Sequence, residues 1–480
     1  GDYAVKRLAA IVFVALLLSF MVCGCKKTET DPSGRVPRTD GGQSGVPADF
    51  WYGKELRICT ASDTAAAQDL FAQENDAMQG EPIYDAVRKR EKILRTEYGI
   101  TTALVEKNTA TQSAYAYLSR GIKAGDAAFD CLVTDGTTAY ALAQQGMLCD
   151  FSEIDSLDLE RDFWESAVQR QLTLGGAVYF LTGDFTSYDD RATQLIAFSK
   201  ELWSQYADLL GCDTPYTLVE SGDWTLPAML SAAELVASQR HATDADGARY
   251  GCAVTDASLS GFLLGADVHI VSANAAGEQS LCFPGARTDT AWNQLMQFFT
   301  SGAVVNRSAV SDFKMDAFQN GRTLFYTDTI GGIIAMRALR SDFSFGILPY
   351  PKLDSAQSGY FAASDSSEAV FLCMPLSCAD SEKVGQALSA FAYVSSQTLT
   401  PAFYEKVLYG ASVRDEESEP MLRLILANKQ YDLGLWRNFG GFSDALRSAA
   451  KEKKENISAV YRSMQSQIER DFSQDMKYFE

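Results

Sequence analysis

Residues 321–354, reading GRTLFYTDTIGGIIAMRALRSDFSFGILPYPKLD, carry the pattern that most narrows what this chain can fold into. After the helix stop Asn320-Gly321, residues 323–326 form a β-rich run. A polar turn is expected at 327–329, then an apolar helix running to about Arg340, then a second strand over 343–348 closed by Pro349 and Pro351. Two strands joined by one helix make a crossover unit, and the turn at the C-terminal end of the first strand is where open α/β sheets take ligands. A site is therefore expected there before any chemistry is known.

The same grammar recurs from residue 54. Residues 55–60 read as a strand ending in the polar turn 61–64; a charged helix over 85–98 stops at Gly99 and hands over to a strand at 101–106. The next helix carries Tyr115, Leu118 and Ile122 on one face and stops at 123–126. Residues 129–133, FDCLV, form a short continuous apolar run of the kind buried on both faces. Strands alternating with helices predict an α/β architecture with a mainly parallel sheet and polar loops gathered along one edge. At 480 residues the chain exceeds one ordinary core, so two lobes are expected.

The first residues read as a targeting signal. Lys6-Arg7 precedes the apolar run 8–22, short for a bilayer span, which needs ~20 apolar residues, but suited to a signal peptide over 1–24. The following Val22-Cys23-Gly24-Cys25 resembles a bacterial lipobox, which implies cleavage before Cys25 and its diacylation. Residues 25–50, rich in Gly, Pro, Ser, Thr and Asp over 28–47, then read as a lipidated flexible tether. The body is expected just outside a membrane.

Three further segments carry a family resemblance. Lys123-Ala124-Gly125-Asp126 with 129–133, a helix at 138–145 and Gly146-Met147-Leu148-Cys149-Asp150 resembles one segment of the maltose-binding type of extracellular solute-binding protein of ABC transporters. Ser221-Gly222-Asp223-Trp224-Thr225 resembles the start of a second-lobe helix in those proteins, and Phe318 to Arg322 with Phe345 to Lys352 resembles a third segment. The resemblance implies a two-lobed periplasmic-binding-protein-like fold of type II, its hinged lobes each a central β-sheet flanked by helices. It places the first lobe at 51–187 and 361–398, and the second at 188–360 with C-terminal helices over 399–480. Crossings are expected near 182–187, 359–364 and 396–400, the last with Thr400 as N-cap and Pro401 at the first helical position.

Enzyme chemistries find little support. His241 and His269 are the only histidines, and neither sits in a metalloprotease or nucleophile-elbow spacing. Adjacent Asp189-Asp190 point opposite ways in an extended chain, so they read as solvated carboxylates rather than a glycosidase pair. With Cys23 and Cys25 set aside eight cysteines remain, none in a C-x-x-C. No zinc or other metal site and no cofactor is expected, and the thiols should be mainly free, with Cys373 and Cys378 the nearest local pair. A formal charge of −20 without a basic block argues against nucleic acid.

The candidate contacts follow from topology. Loops at strand ends supply Asp63, Thr64, Asp135, Thr137, Asp184, Phe185, Tyr326 and Asp328, while Trp436 is carried over from the resemblance. Carboxylates and hydroxyls suit a polyhydroxylated solute, and Phe185, Tyr326 and Trp436 can offer flat faces to sugar C–H surfaces. The implied function is capture of a carbohydrate, an oligosaccharide, in the interlobe cleft by hinge closure, by a lipid-anchored extracellular monomer that delivers it to an ABC permease. A surface hydrolase acting on saccharides, and a binder of peptides or other polar solutes, are the alternatives.

Overall fold

The computed structural model describes residues 45–47, 50–51, 54–60, 69–72, 76–106, 113–125, 128–239, 249–310, 316–339, 343–365, 368–412 and 415–479. The expected signal segment and Cys25, the loop with Asp63 and Thr64, and His241 lie outside the described residues. No helix among the described residues is long and apolar enough to cross a membrane.

The first sheet has the strand order Val370–Cys373, Cys131–Asp135, Glu55–Thr60, Thr101–Glu106. Its last three strands are mutually parallel, with Ile58 opposite Leu104 on one side and Cys131 on the other, while Val370–Cys373 runs antiparallel to Cys131–Asp135. Side chains alternate between two apolar layers as a strand period of two requires. Leu56 and Ile58 pack with Trp51, Leu94 and Tyr98, and Cys59 and Leu132 pack with Leu118 and Leu142. Residues 177–181, which also look strand-like, make only the isolated bridges Leu174 to Ala177 and Leu181 to Leu372.

The second sheet has the order Phe345–Leu348, Gln194–Ser199, Thr323–Thr329, Tyr250–Val254, Val304–Asn306. Both strands of the crossover unit are therefore in one sheet and parallel to each other, but Gln194–Ser199 is inserted between them, antiparallel to each. The first of them also runs on to Thr329, through the expected polar turn. Thr327 is tolerated inside the sheet because its hydroxyl pairs with Ser258 Oγ at 2.7 Å. A Cβ on Gly332 would lie 2.0 Å from Asp328 Oδ1, so only glycine lets the helix Ile330–Leu339 start so close over the strand end.

The chain leaves the first sheet, enters the second at Gln194 and returns at Val370. The helix Ser381–Ser396 then packs back on the first lobe, where the buried Arg90 donates to Ser395 Oγ and stacks over Phe391. Beyond it the π-helical Ala402–Ser412 brings Tyr404 to Asp190. Thr400 does not cap a helix here: Thr398 is the N-cap of the short turn Leu399–Pro401, and the Thr400 hydroxyl instead donates to the buried Asp184 at 2.9 Å. A buried carboxylate that needs a donor outcompetes a local cap. The eight described cysteines are all free thiols, Cys373 buried inside its strand and Cys378 half-buried after it.

The amphipathic pattern of the C-terminal stretch resolves into Phe442–Lys451 and Ile457–Met476, preceded by Leu433–Arg437. The last helix spans both lobes. Near its start Ser458 Oγ donates to Asp289 at 2.5 Å and Trp292 Nε1 to the Lys454 carbonyl at 2.6 Å. At its end Asp475 accepts from Gln144 at 2.7 Å, Arg437 at 2.5 Å and Tyr140 at 3.2 Å. Phe479 then seats beside Tyr140 and Tyr179.

That seat depends on Gly175, whose φ is +59° and whose added Cβ would fall 1.8 Å from the Phe479 carbonyl oxygen. Gly175→Ala is expected to cost at least the ~1–2 kcal/mol of a left-handed non-glycine residue and to detach Phe479. Urea denaturation should show the lower midpoint; an unchanged midpoint would mean the terminus is not seated there.

Candidate functional site

Where the chain crosses between lobes, one cation gathers three carboxylates. Glu165 precedes the helix Ser166–Leu172, Asp189 and Asp190 sit in the short helix Tyr188–Arg191, and Lys429 lies in a two-residue strand parallel to Ala362–Ala363. The Lys429 ammonium stands 2.8 Å from Glu165, 3.1 Å from Asp189 and 2.6 Å from Asp190, and all four side chains are at most 8% exposed. Asp189-Asp190 are thus buried, not solvated as their sequence context suggests, because one helical turn folds both toward the same lysine. Burial alone would lower the Lys429 pKa, but Asp189, Asp190 and Glu165 outweigh it and raise it well above the ordinary value. The three carboxylates come within 4.8 Å of one another, a spacing that suits a cation, and Lys429 supplies that cation from the chain itself.

A second convergence forms an open hollow of about 370 Å³. Asp256 and Ser260 enter it from the end of the strand Tyr250–Val254 and the helix after it, Ser364 and Asp365 from the returning segment, and Trp436 and Arg447 from the C-terminal helices. Trp436 is held from several sides. Asp432 caps its helix by accepting from Gly434 N at 2.7 Å, and the same carboxylate accepts from the amides of Ile270 at 2.7 Å and Val271 at 3.1 Å. Burial pushes the Asp432 pKa up, against His269 and those amides, which favour the charged form. The half-buried His269 lies 3.9 Å from Asp432 and 3.4 Å from Asp267. It is a second support for the turn that carries Trp436.

The Trp436 ring meets Phe371 and Tyr431 edge-on, with centroids 5.2 and 5.3 Å away, and lies against the first lobe at Gly136. A Cβ on Gly136 would fall 2.6 Å from the ring. The arrangement is an aromatic plate with carboxylates and hydroxyls around it, open to solvent on one side. It can hold a polar, partly apolar small molecule by stacking and hydrogen bonding. No described group in it has the pairing of nucleophile and base that covalent catalysis needs.

The other sequence candidates fall in different places. Asp135 caps the helix Gly136–Gln144, both its oxygens taken by the Thr138 amide at 2.9 Å and hydroxyl at 2.8 Å, and Thr137 beside it is exposed. Asp184 is buried on Thr400 at the first crossing. Phe185 is a core side chain of the first lobe, packed in the cluster that holds Phe163 and Trp164, with no face left for a solute. Tyr326 is likewise in the core, stacked on Phe318 with centroids 5.0 Å apart. Phe185 follows the polar Gly183-Asp184 and Tyr326 lies within the strand Thr323–Thr329, yet both side chains are on the apolar side.

Asp328 is half-buried and paired with Arg307 at 3.1 Å, whose guanidinium also lies 4.2 Å over Tyr326. Burial raises the Asp328 pKa while Arg307 opposes the shift. Of the nine candidate contacts, Trp436 lines the hollow. Asp256 follows a strand end and could have been found by the rule that supplied Asp135 and Asp328. Asp365 and Arg447 carried no such signal, the first in a returning segment without periodicity, the second on a charged helix face.

No protein-family model matches the sequence, and neither does any curated protein. Solved structures do. The sugar-binding protein MalE from Xanthomonas citri is 13% identical with a TM-score of 0.59, covering 89% of this chain and 99% of its own. An ABC substrate-binding protein of Listeria monocytogenes in complex with cycloalternan is 12% identical with a TM-score of 0.55, covering 87% and 99%. UgpB from Mycobacterium tuberculosis in complex with glycerophosphocholine is 15% identical with a TM-score of 0.52, covering 88% and 100%. At these identities the likeness establishes the fold: two lobes, each a sheet flanked by helices, as in these binding proteins.

Proposed function

We propose that a chain with the two-lobed fold of ABC-transporter solute-binding proteins uses its Trp436 hollow to capture a saccharide and does not transform it. The observation that carries this reading is the plate itself, an indole lining an open hollow of about 370 Å³, with Asp365 and Ser260 around it and Asp256 held in place by Lys451 and Asn306. A sugar ring has apolar C–H faces for the indole and hydroxyl edges for carboxylates, so plate and rim match its two kinds of surface. Capture works by movement of the lobes about the crossings, with Gly136 at the start of the first-lobe helix already packed on Trp436. The lipid anchor at Cys25 keeps the protein at the outer face of a membrane, where a permease collects the solute.

The test is a thermal-shift array of the soluble body against mono- and oligosaccharides, peptides and polyamines. A ligand present at 100 times its Kd adds about 2.7 kcal/mol of stability, enough to read as a rise in Tm. Saccharides are expected to give the rise and to be recovered intact afterwards. A rise with peptides alone would remove the carbohydrate assignment, and recovery of cleaved sugar would move the protein to the hydrolases.

A further inference from the structure

Beside the Trp436 hollow lies a second one, of about 420 Å³, and the two share Asp256, Leu259 and Arg447 as a common wall. The second hollow is of a different kind. Its lining surface is mainly apolar, from Val254, Leu259, Phe299, Val304 and Ala450, with Thr255, Asn306 and Ser308 among them. Its rim carries Arg447, Lys451 and Lys453 from the helix Phe442–Lys451 and the turn after it, in a chain whose net charge is −20.

The rim charges are not equally engaged. Lys451 is paired with Asp256 at 2.8 Å, and Asp256 also accepts from Asn306 at 2.9 Å. Arg447 is paired with Asp444 at 2.5 Å, both largely exposed. Lys453 has no carboxylate partner among the described residues, and it holds a left-handed backbone with φ +57°. Its ammonium is available to an anion at the mouth of the hollow.

A second sugar ring does not suit such a floor. Ring hydroxyls set against Val254, Leu259 and Phe299, away from Thr255, Asn306 and Ser308, would lose their water without gaining partners. A flat or aliphatic group gains from the same burial, and an acid at its end finds Lys453. Resting on the saccharide reading of the adjacent hollow, we infer that the solute is a glycoside whose apolar substituent ends in an anionic group, the sugar on Trp436 and the substituent in the second hollow.

The test has two independent arms. In the first, 8-anilinonaphthalene-1-sulfonate, an apolar anion, is titrated by fluorescence into the wild type, Ala450→Trp, which fills the floor, and Lys453→Glu, which reverses the exposed charge. Wild type is expected to bind the dye, Ala450→Trp to weaken it about tenfold or more through lost apolar burial, and Lys453→Glu about threefold. Lys453 is exposed, so that variant folds even if Ala450→Trp does not.

In the second arm, the sugar selected by the thermal-shift array is compared as its methyl glycoside and its 4-carboxyphenyl glycoside. The carboxyphenyl form is expected to bind about tenfold tighter, to displace the dye, and to lose its advantage in Lys453→Glu while the methyl form does not change. Equal affinity of the two glycosides, or dye binding indifferent to both substitutions, overturns the inference. A protein that binds the dye as described but responds to no saccharide keeps the second hollow and loses the carbohydrate assignment, so the two failures are separable.

Discussion

Replacing Lys429 with methionine is expected to lower the unfolding free energy by about 3–5 kcal/mol, the range measured when one partner of a buried ion pair is removed. The methylene stem is kept, so little packing is lost; what remains is Glu165, Asp189 and Asp190 with their shared cation gone, each at most 8% exposed. Adding Asp190→Asn to Lys429→Met should recover part of the loss, because one fewer buried carboxylate then lacks its counter-charge. The coupling from a double-mutant cycle measured by urea denaturation checks this directly. A loss below about 1 kcal/mol, typical of an exposed pair, would mean that water reaches the cluster.

The pH dependence follows from the same group. The folded Lys429 pKa is raised above its unfolded value of roughly 10.4, so the stability it contributes is complete below that value and is lost only as pH rises through the higher folded one. Lys429 therefore adds no slope between pH 6 and 9, on the order of one unit or more below its titration. Because the lysine sits on the strand paired with Ala362–Ala363 and Asp189 and Asp190 on the first crossing, the variant should also loosen the lobes relative to each other. Small-angle scattering of the unliganded protein would show it as a larger radius of gyration.

The second large effect is on binding. Trp436→Ala is expected to weaken saccharide affinity by about 2 kcal/mol, ~30-fold, the scale of a central aromatic contact. Stability should fall less than for a core tryptophan, since one side of the ring faces the open hollow. Gly136→Ala is the complementary change: it keeps the indole but places a methyl 2.6 Å from it, so the ring must move. Calorimetry should find both variants weakened, and Phe185→Leu, deep in the first-lobe core, unchanged in affinity. If Trp436→Ala binds the saccharide as the wild type does, the plate is not the site.

How much of this was legible beforehand depends on the range of the forces involved. The strands Glu55–Thr60 and Thr101–Glu106 lie where the apolar patterning puts them, and Gly99 ends the helix Pro82–Tyr98 in a left-handed backbone as its chemistry allows. The site was less legible. Asp135, Asp184 and Asp328 each follow the polar-loop rule, yet each carboxylate is engaged by a cap, a hydroxyl or an arginine. The donor to Asp135 is the nearby Thr138, but Arg307 is 21 positions from Asp328 and Thr400 is 216 from Asp184, and sequence does not show which distant donor will reach a turn carboxylate. Lys429 and Glu165 are 264 positions apart, and nothing near either residue marks the other.

By itself the sequence determined what local physics controls: alternation of strand and helix, two cores' worth of apolar residues, and points where helices start and stop. Tertiary structure alone decided that Gln194–Ser199 would slip between the two crossover strands, that Tyr326 would be core while Trp436 faced a hollow, and that one lysine would serve three carboxylates. The reason is that burial and charge pairing are settled by which surfaces meet in space, whereas propensity and periodicity act over only a few residues along the chain.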